Sequence, residues 1–414
     1  MTSRYDAIII GGGHNGLVTA AYLARGGKKT LVLERRRVLG GAAVTEEVFP
    51  GFRFSVCSYV VSLLRPEIIR ELELARHGLE ILPLDGTFTP MPDGDYLWRV
   101  NDHAETRREL SRHSRRDAEA YEEYSRAMVD MGRFVKPILG MTPFDPTSCD
   151  PRSLMQLLSL GKRFRALPRC SQQLQVQLAT MSAADFLDQW FETDVLKATM
   201  AASGVTGTFL GVRSPGTAYV LLHHYMGEID GAFRSWGLPR GGTGAISNAI
   251  ASAAREAGAE IRTGAPVAKV LLNRGRTSGV LLENGDSVFA NIVASSVDPR
   301  LTFFKMVGKE HLPDDFVEDV SRYKLRGSSG KVNLALDALP NFTSLPGAGP
   351  HLRGGLTISP SVDYMERAYD DAKYGKYSRH PYIDMVIPTL SDPSMAPPGK
   401  HVLSCFVQYA PYHL

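Results

Sequence analysis

The strongest constraint in this chain lies at its start, where an apolar run breaks off into glycine. Tyr5–Ile10 reads Tyr-Asp-Ala-Ile-Ile-Ile and is followed by Gly11-Gly12-Gly13-His14-Asn15-Gly16. A short apolar run bounded by glycine predicts a strand buried on both faces, as inside a parallel sheet. Leu17, Ala20, Ala21, Leu23 and Ala24 then recur at helical spacing, and Gly26-Gly27 closes that helix. Thr30-Leu31-Val32-Leu33 forms a second buried strand ending in Glu34. The glycine pattern G-x-G-x-x-G therefore sits in a complete strand–helix–strand context, which is what gives it meaning.

Each residue type has a physical part in holding a dinucleotide. Gly11 permits the tight turn, Gly13 lets backbone approach a pyrophosphate without a Cβ in the way, and Gly16 lets the helix pack on the strand. Unpaired N–H groups and the positive end of that helix attract phosphate. Glu34, placed 18 residues after Gly16, can accept both ribose hydroxyls. The alternative is an empty βαβ unit whose glycines serve packing alone. Glu34 would repel a 2′-phosphate, which disfavours NADP. Arg35-Arg36-Arg37 pulls the other way, since arginines can accommodate such a group; otherwise the triplet is a solvated strand end. Gly40-Gly41-Ala42 then supplies further amides that can reach the far side of the same pyrophosphate or a ribityl chain.

Composition excludes several other classes. With 47 Lys+Arg against 44 Asp+Glu, the net charge of +3 is too small to imply nucleic-acid binding. Hydrophobic residues at 43% and charged residues at 22% describe an ordinary soluble chain, long enough to build its own core. Cys57, Cys149, Cys170 and Cys405 lie far apart, which excludes a disulfide scaffold, a zinc ribbon and a local redox dithiol. No run reaches the ~18–20 apolar residues of a membrane span; Tyr59–Leu64 and Ala218–Leu222 are short enough to be core. Met1-Thr2-Ser3-Arg4 leads straight into the first strand, leaving no room for a cleavable leader, so a cytoplasmic location is expected. No His-Glu-x-x-His occurs, and Asp363, Glu366, Asp370 and Asp371 read as a solvated face, so no metal is expected.

The run Ile8–Thr45 resembles the flavin-binding start of the glutathione-reductase-like flavoproteins, which include amine oxidases and phytoene desaturases. Gly12-Gly13-His14-Asn15-Gly16-Leu17 with Leu39-Gly40-Gly41-Ala42-Ala43-Val44-Thr45-Glu46-Glu47 is similar to the phytoene-dehydrogenase-like branch. Asp188-Gln189-Trp190-Phe191-Glu192 and Ser214–His224 resemble the same branch. The resemblance implies an α/β architecture: a discontinuous Rossmann-like FAD-binding domain with an α+β substrate domain inserted. It implies FAD as cofactor, held by Gly11, Gly12, Gly13, His14, Asn15, Gly16, Glu34, Arg35, Gly40, Gly41 and Ala42, with the backbone of Val267 against the adenine. The expected division is 1–63 and 232–300 for FAD, 64–231 for a mostly helical substrate block, and 301–414 for a substrate sheet. Members of the branch continue into a late glycine-rich segment over the flavin ring. Gly347-Ala348-Gly349 and Gly354-Gly355 lie too early for that part, so this cover is expected to be missing.

Within the helical block, Pro66 suits a first helical turn, and residues 104–140 and 152–205 carry helical spacing broken near Pro168 and Gly204. Ser153–Leu167 mixes leucines with Lys162, Arg163 and Arg165. Such a helix can lie on a membrane surface, although an ordinary surface helix with snorkelling basic ends is the favoured reading. Trp236–Gly244 opens a helix running to Ala257, and Gly258-Ala259-Glu260-Ile261 starts a strand. Val270–Leu272, Gly279–Leu282 and Ser287–Val293 read as a meander whose Asn284-Gly285 is a strong hairpin signal. His401–Tyr409 is a late strand.

The function expected is an FAD-dependent oxidoreductase of dehydrogenase or desaturase type, acting on a small organic or lipid-like substrate. The cofactor carries the hard step, so no catalytic side chain is assigned. His223 and His224 could act as acid, base or clamp, but a core or surface pair is the favoured reading; His14 flanks the cofactor. Disulfide reduction is excluded because there is neither a paired cysteine nor a second G-x-G-x-x-G. A flavin amine oxidase releasing peroxide and a non-catalytic partner protein of the same fold stand as alternatives. No oligomeric state is assigned.

Overall fold

Strand Arg4–Ile10 lies inside a six-stranded sheet ordered Glu260–Arg262, Thr30–Leu33, Arg4–Ile10, Ser287–Ser295, Arg276–Leu282, Val267–Asn273. The first four strands are parallel and the last two antiparallel. The computed structural model describes residues 4–229, 231–233 and 235–413. Met1-Thr2-Ser3, on which the leader expectation rests, and Asp230, at the end of the helical block, lie outside the described residues.

The period-two geometry of a strand explains the isoleucine run. Ile8 and Ile10, with Leu31 and Leu33, face one layer and pack against Val270, Val280, Val288 and Met306. Ile9 and Val32 face the other, against Leu17, Ala20 and Ala21 of helix His14–Arg25 and Ile246, Ala249 and Ile250 of helix Gly244–Glu256. Each such fully buried side chain contributes on the order of 1.5–3 kcal/mol. The meander strands are longer than the sequence suggested, and Ser287–Ser295 also pairs in parallel with Arg4–Ile10.

A helical block carries helices His103–His113, Arg115–Leu139, Pro151–Arg165, Arg169–Thr180, Ala183–Asp188, Asp194–Ala201 and Thr217–Tyr225. Several begin at side-chain caps that satisfy orphan amides: Asp102 accepts from Glu105, Ser114 from Asp117, Asp150 from Arg152 and Ser153, and Ser182 from Asp185. Tyr124, Met128, Phe186, Leu196 and Leu221 form its core. Asp117 is fully buried there, its two oxygens accepting from Glu192 N at 2.9 Å and Thr193 N at 2.8 Å.

The block is less purely helical than expected. Gly86–Pro90 and Tyr96–Val100 are strands of a second sheet, ordered Ser329–Leu336, His401–Gln408, Tyr382–Val386, Gly355–Ile358, Gly86–Pro90, Tyr96–Val100. Pro92-Asp93-Gly94 between the two early strands was a readable turn signal. Residues 300–308 form a π-helical turn whose Met306 packs on the first sheet, so the chain leaves that layer later than residue 300. Of Tyr59–Leu64, only Val61 and Ser62 are buried, and Leu63 is exposed. The acidic group is not simply solvated either: Glu366 accepts from Arg213 N, Asp363 from the Arg213 guanidinium and Asp371 from Arg379 N.

Candidate nucleotide cradle and buried polar cluster

The turn after the first strand gathers most of the residues singled out above. Gly11 has φ +100°, Gly40 +129° and Gly41 +59°, conformations that glycine adopts at no steric cost. Gly40 N donates to Gly12 O at 2.9 Å, laying the second glycine pair beside the first. A Cβ on Gly16 would lie 2.2 Å from Gly11 O, and one on Gly12 would lie 2.7 Å from Leu39 Cδ2. Those two glycines are demanded by the protein itself.

Gly13 is different. Its backbone is ordinary extended chain, φ −73° and ψ 166°, and a Cβ there would meet nothing closer than Gly41 Cα at 3.8 Å. Neither conformation nor packing requires glycine at this position. The space it leaves open faces the start of helix His14–Arg25, where Gly13 offers no side-chain cap to the first amides. His14 Nδ1 is buried there without a protein partner. Exposed amides, a positive helix end and a gap beside Gly13 and Gly41 fit a pyrophosphate.

Glu34 stands at the neighbouring strand end, nine-tenths buried. Its Oε2 accepts from Gly12 N at 2.7 Å and its Oε1 from Arg36 N at 2.8 Å. Each carboxylate oxygen retains capacity for another donor, which suits a ribose diol. Val267 is brought close to this acid, because Ala265 N donates to Glu34 O at 2.9 Å. Arg35 is exposed, whereas Arg36 is tied to Glu46 at 2.6 Å, which raises the guanidinium pKa. Ala42 is exposed at the cradle rim and its carbonyl accepts from Ser58 N. Together these groups fit an FAD, with Gly12–Asn15 and Gly40–Ala42 around the pyrophosphate and Glu34 at the ribose.

A second cluster had gone unnoticed in the sequence. The second sheet turns one face outward to an apolar layer of Phe88, Leu356, Met385, Leu403 and Cys405. Its other face carries Lys331, Phe406 and Asp384 in one row across three strands, with Asn333 and Ser404 in the next. Tyr59 stacks over Phe406 at 6.0 Å and donates its hydroxyl to Asp384 Oδ2 at 2.5 Å. Lys331 Nζ sits 4.4 Å from the Tyr59 ring centroid and donates to Ser404, whose hydroxyl donates to Asn333 Oδ1 at 2.8 Å. Burial pushes the Asp384 carboxyl up to about 6, opposed by the Tyr59 hydrogen bond and by Lys331. Burial likewise pushes Lys331 down to about 8. The signal was an acid inside the apolar run Tyr382–Val386 and the alternation Lys331-Val332-Asn333-Leu334.

Beside this cluster, Tyr59, Leu238, Pro239, Gly242, Val386, Pro388 and Val402, with hydroxyls from Ser55 and Ser404, line a cleft between the two layers. A more open groove of about 300 Å³ lies behind Thr45, by Arg53, His77 and Arg240; there Arg240 is already paired with Glu80 at 2.5 Å. His223 and His224 do not join either site. His224 stacks on Trp236 at 5.8 Å and its Nδ1 meets Val220 O, and desolvation lowers the pKa of both histidines. Among the described residues no His, Cys, Asp or Glu cluster could hold a metal, and no helix is long and apolar enough to cross a membrane.

Comparison with known proteins places this geometry. Residues 16–413 match the family described as flavin containing amine oxidoreductase. The chain is 42% identical over 432 aligned residues to the mouse pyridine nucleotide-disulfide oxidoreductase domain-containing protein 2, covering 99% of this chain and 74% of the mouse protein. It is 26% identical to the chloroplastic prolycopene isomerase of Daucus carota, covering 97% of this chain and 61% of that protein. Among solved structures, putrescine oxidase bound to putrescine superposes with a TM-score of 0.58 at 17% identity, covering 99% of this chain and 76% of that one.

Proposed function

Because this chain belongs to the flavin containing amine oxidoreductase family and is an FAD-dependent oxidoreductase, we propose that it is of dehydrogenase or desaturase type and removes a hydride from an apolar organic substrate. The observation that carries this reading is the lining of the cleft between the layers, where Leu238, Pro239, Val386, Pro388 and Val402 are apolar and the side-chain hydroxyls are those of Tyr59, Ser55 and Ser404. Such a wall favours hydrocarbon over polar ligands by dispersion. The cleft as it stands encloses about 10 Å³, so it is the composition of the wall that supports the reading, and a substrate would have to part the layers to enter.

FAD supplies the hydride acceptor when bound. The chain's own residues handle the proton that must leave with the hydride when a C=C bond forms. Asp384 and Lys331, shifted toward neutrality from opposite sides, are matched to proton exchange near pH 7. Tyr59 holds the Asp384 carboxylate through its hydroxyl, and Ser404 fixes the Lys331 amine. The apolar wall keeps water from competing for the same proton.

Oxidation of an amine is the second reading, favoured by one feature: the Asp384 carboxylate beside the Tyr59 and Phe406 rings could hold a cationic nitrogen. Anaerobic mixing separates the two. Under the first reading, the FAD-loaded chain loses its oxidised-flavin band with a saturated or partly unsaturated hydrocarbon and not with primary or secondary amines. Amine-dependent bleaching, with peroxide formed in air, would overturn that reading and install the second.

A further inference from the structure

Helix Pro151–Arg165 is packed unlike the rest of the helical block. Across its fifteen residues only Ser153 is buried. Leu154, Met155, Leu157 and Leu158 are exposed, Met155 by 62% and Leu158 by 72%. Leu139 and Val176, on the two neighbouring helices, are exposed as well. Exposed large apolar side chains scattered singly need no explanation, but a group on one helix does.

The charge around this group is one-sided. From residue 151 to 184 there is no Asp or Glu, while Arg152, Lys162, Arg163, Arg165 and Arg169 are all present. Among the described residues none of these five is in an ion pair, although cations on neighbouring helices are, as in Arg126–Glu122 and Lys197–Asp188. Outside this stretch acids outnumber bases 44 to 42, the chain totals of 44 and 47 less these five cations. The chain's positive excess therefore rests on this one segment.

We propose that helix Pro151–Arg165 docks the protein on an anionic lipid bilayer, with its leucine face in the headgroup layer and its cations on acidic headgroups. A helix of this kind binds by apolar burial and by attraction to anionic lipid together. A bilayer answers both features at once. A protein partner would be expected to meet aromatic anchors, and the exposed group here is Leu and Met. The helix is preset for this orientation: Asp150 caps its first amides, and Phe164 ties its end to Phe134 at 6.4 Å. The proposal stands apart from the reading of the catalytic cleft, since these residues touch neither the cradle nor the Tyr59 cluster.

Flotation of the full chain with vesicles tests it, using phosphatidylcholine alone or mixed with phosphatidylserine at low salt. The chain is expected to partition into the mixed vesicles roughly tenfold or more over phosphatidylcholine alone, and added salt should weaken that binding. Leu154→Asp with Leu158→Asp, and separately Lys162→Glu with Arg163→Glu and Arg165→Glu, should each lower partitioning about tenfold or more with unchanged circular dichroism. If either set unfolds, Arg163→Gln with Arg165→Gln gives a milder version of the same test. Equal partitioning into both vesicle types, or full binding by the folded variants, overturns the proposal. So does a wild-type dimer that these substitutions dissociate while vesicle binding is absent, since the face would then meet a second copy.

Discussion

Gly13 offers the sharpest test of where the dinucleotide lies, because the protein does not need glycine there. Gly13→Ala adds a methyl that meets Gly41 Cα at 3.8 Å and Gly40 O at 4.0 Å, both ordinary contacts, on a backbone any residue adopts. Glycine is a better N-cap than alanine by several tenths of a kcal/mol, while the Gly-to-Ala change restricts the unfolded chain by about 0.4–1 kcal/mol. The two effects oppose, so apparent stability without cofactor should change by less than about 1 kcal/mol. Cofactor binding should suffer far more. A methyl in the gap holds the pyrophosphate off the amides of residues 14–16, and losing two charge-assisted hydrogen bonds costs about 3–6 kcal/mol. That corresponds to a rise in the FAD dissociation constant of roughly a hundredfold to ten-thousandfold. Fluorescence titration of FAD into the apoprotein reads the constant, and a thermal melt of the same sample reads the fold. An alanine variant that binds FAD as tightly as wild type would show that the pyrophosphate is not beside Gly13.

Gly16→Ala should do the reverse: its methyl would press to 2.2 Å on Gly11 O, so the melt should collapse before any cofactor is added. Asp117→Ala strips two buried amides of their acceptor and should cost about 2–4 kcal/mol in denaturant unfolding, with Asp117→Asn costing less because it keeps one acceptor. The raised pKa of Asp384 has a signed consequence. Between its unfolded value of 3.8 and about 6, the folded chain holds a proton that the unfolded chain has released, so this group's contribution to stability falls as pH rises through that window. Asp384→Asn should therefore match wild type below about pH 4 and be more stable above about pH 6 by denaturant titration at each pH; a variant less stable at both ends would refute the assignment. Lys331, lowered to about 8 from 10.5, works in another window: its contribution should rise with pH between those values and disappear from the profile in Lys331→Met.

The cradle was legible because its causes are local. A buried strand, a glycine turn, a helix of small residues and a terminal acid lie within thirty-odd residues, and each obeys a spacing rule that needs no knowledge of the rest of the fold. The cluster of Tyr59, Lys331 and Asp384 was not legible for the opposite reason. Its members stand 272 and 53 residues apart in sequence, and only the pairing of three antiparallel strands brings Lys331 and Asp384 to either side of Phe406. The early strands Gly86–Pro90 and Tyr96–Val100 were missed although their turn was plain, because the surrounding residues read as helix and the hairpin joins its sheet only through the pairing of Gly86–Pro90 with Gly355–Ile358, far along the chain. The opening signal of Ser153–Leu167 was visible in sequence, but its lack of packing was not; a helical period does not tell a buried face from a bare one.

The pairing of Arg4–Ile10 with Ser287–Ser295, in which Arg4 stands opposite Phe289, has a consequence for how the chain is born. At synthesis rates of about 5–20 residues per second, roughly 15–60 s pass between the emergence of the first strand and that of its neighbour. Through that interval Ile8-Ile9-Ile10 has only the short partner Thr30–Leu33 on one edge, and its other edge is unpaired. Contacts of such sequence separation also slow folding after release, since the intervening loop must be closed before they form. The glycine cradle can thus be complete in sequence long before it is complete in space. A nascent chain arrested before residue 287 should be held by chaperones and digested readily at its amino-terminal segment, whereas release past residue 295 should allow that segment to become resistant.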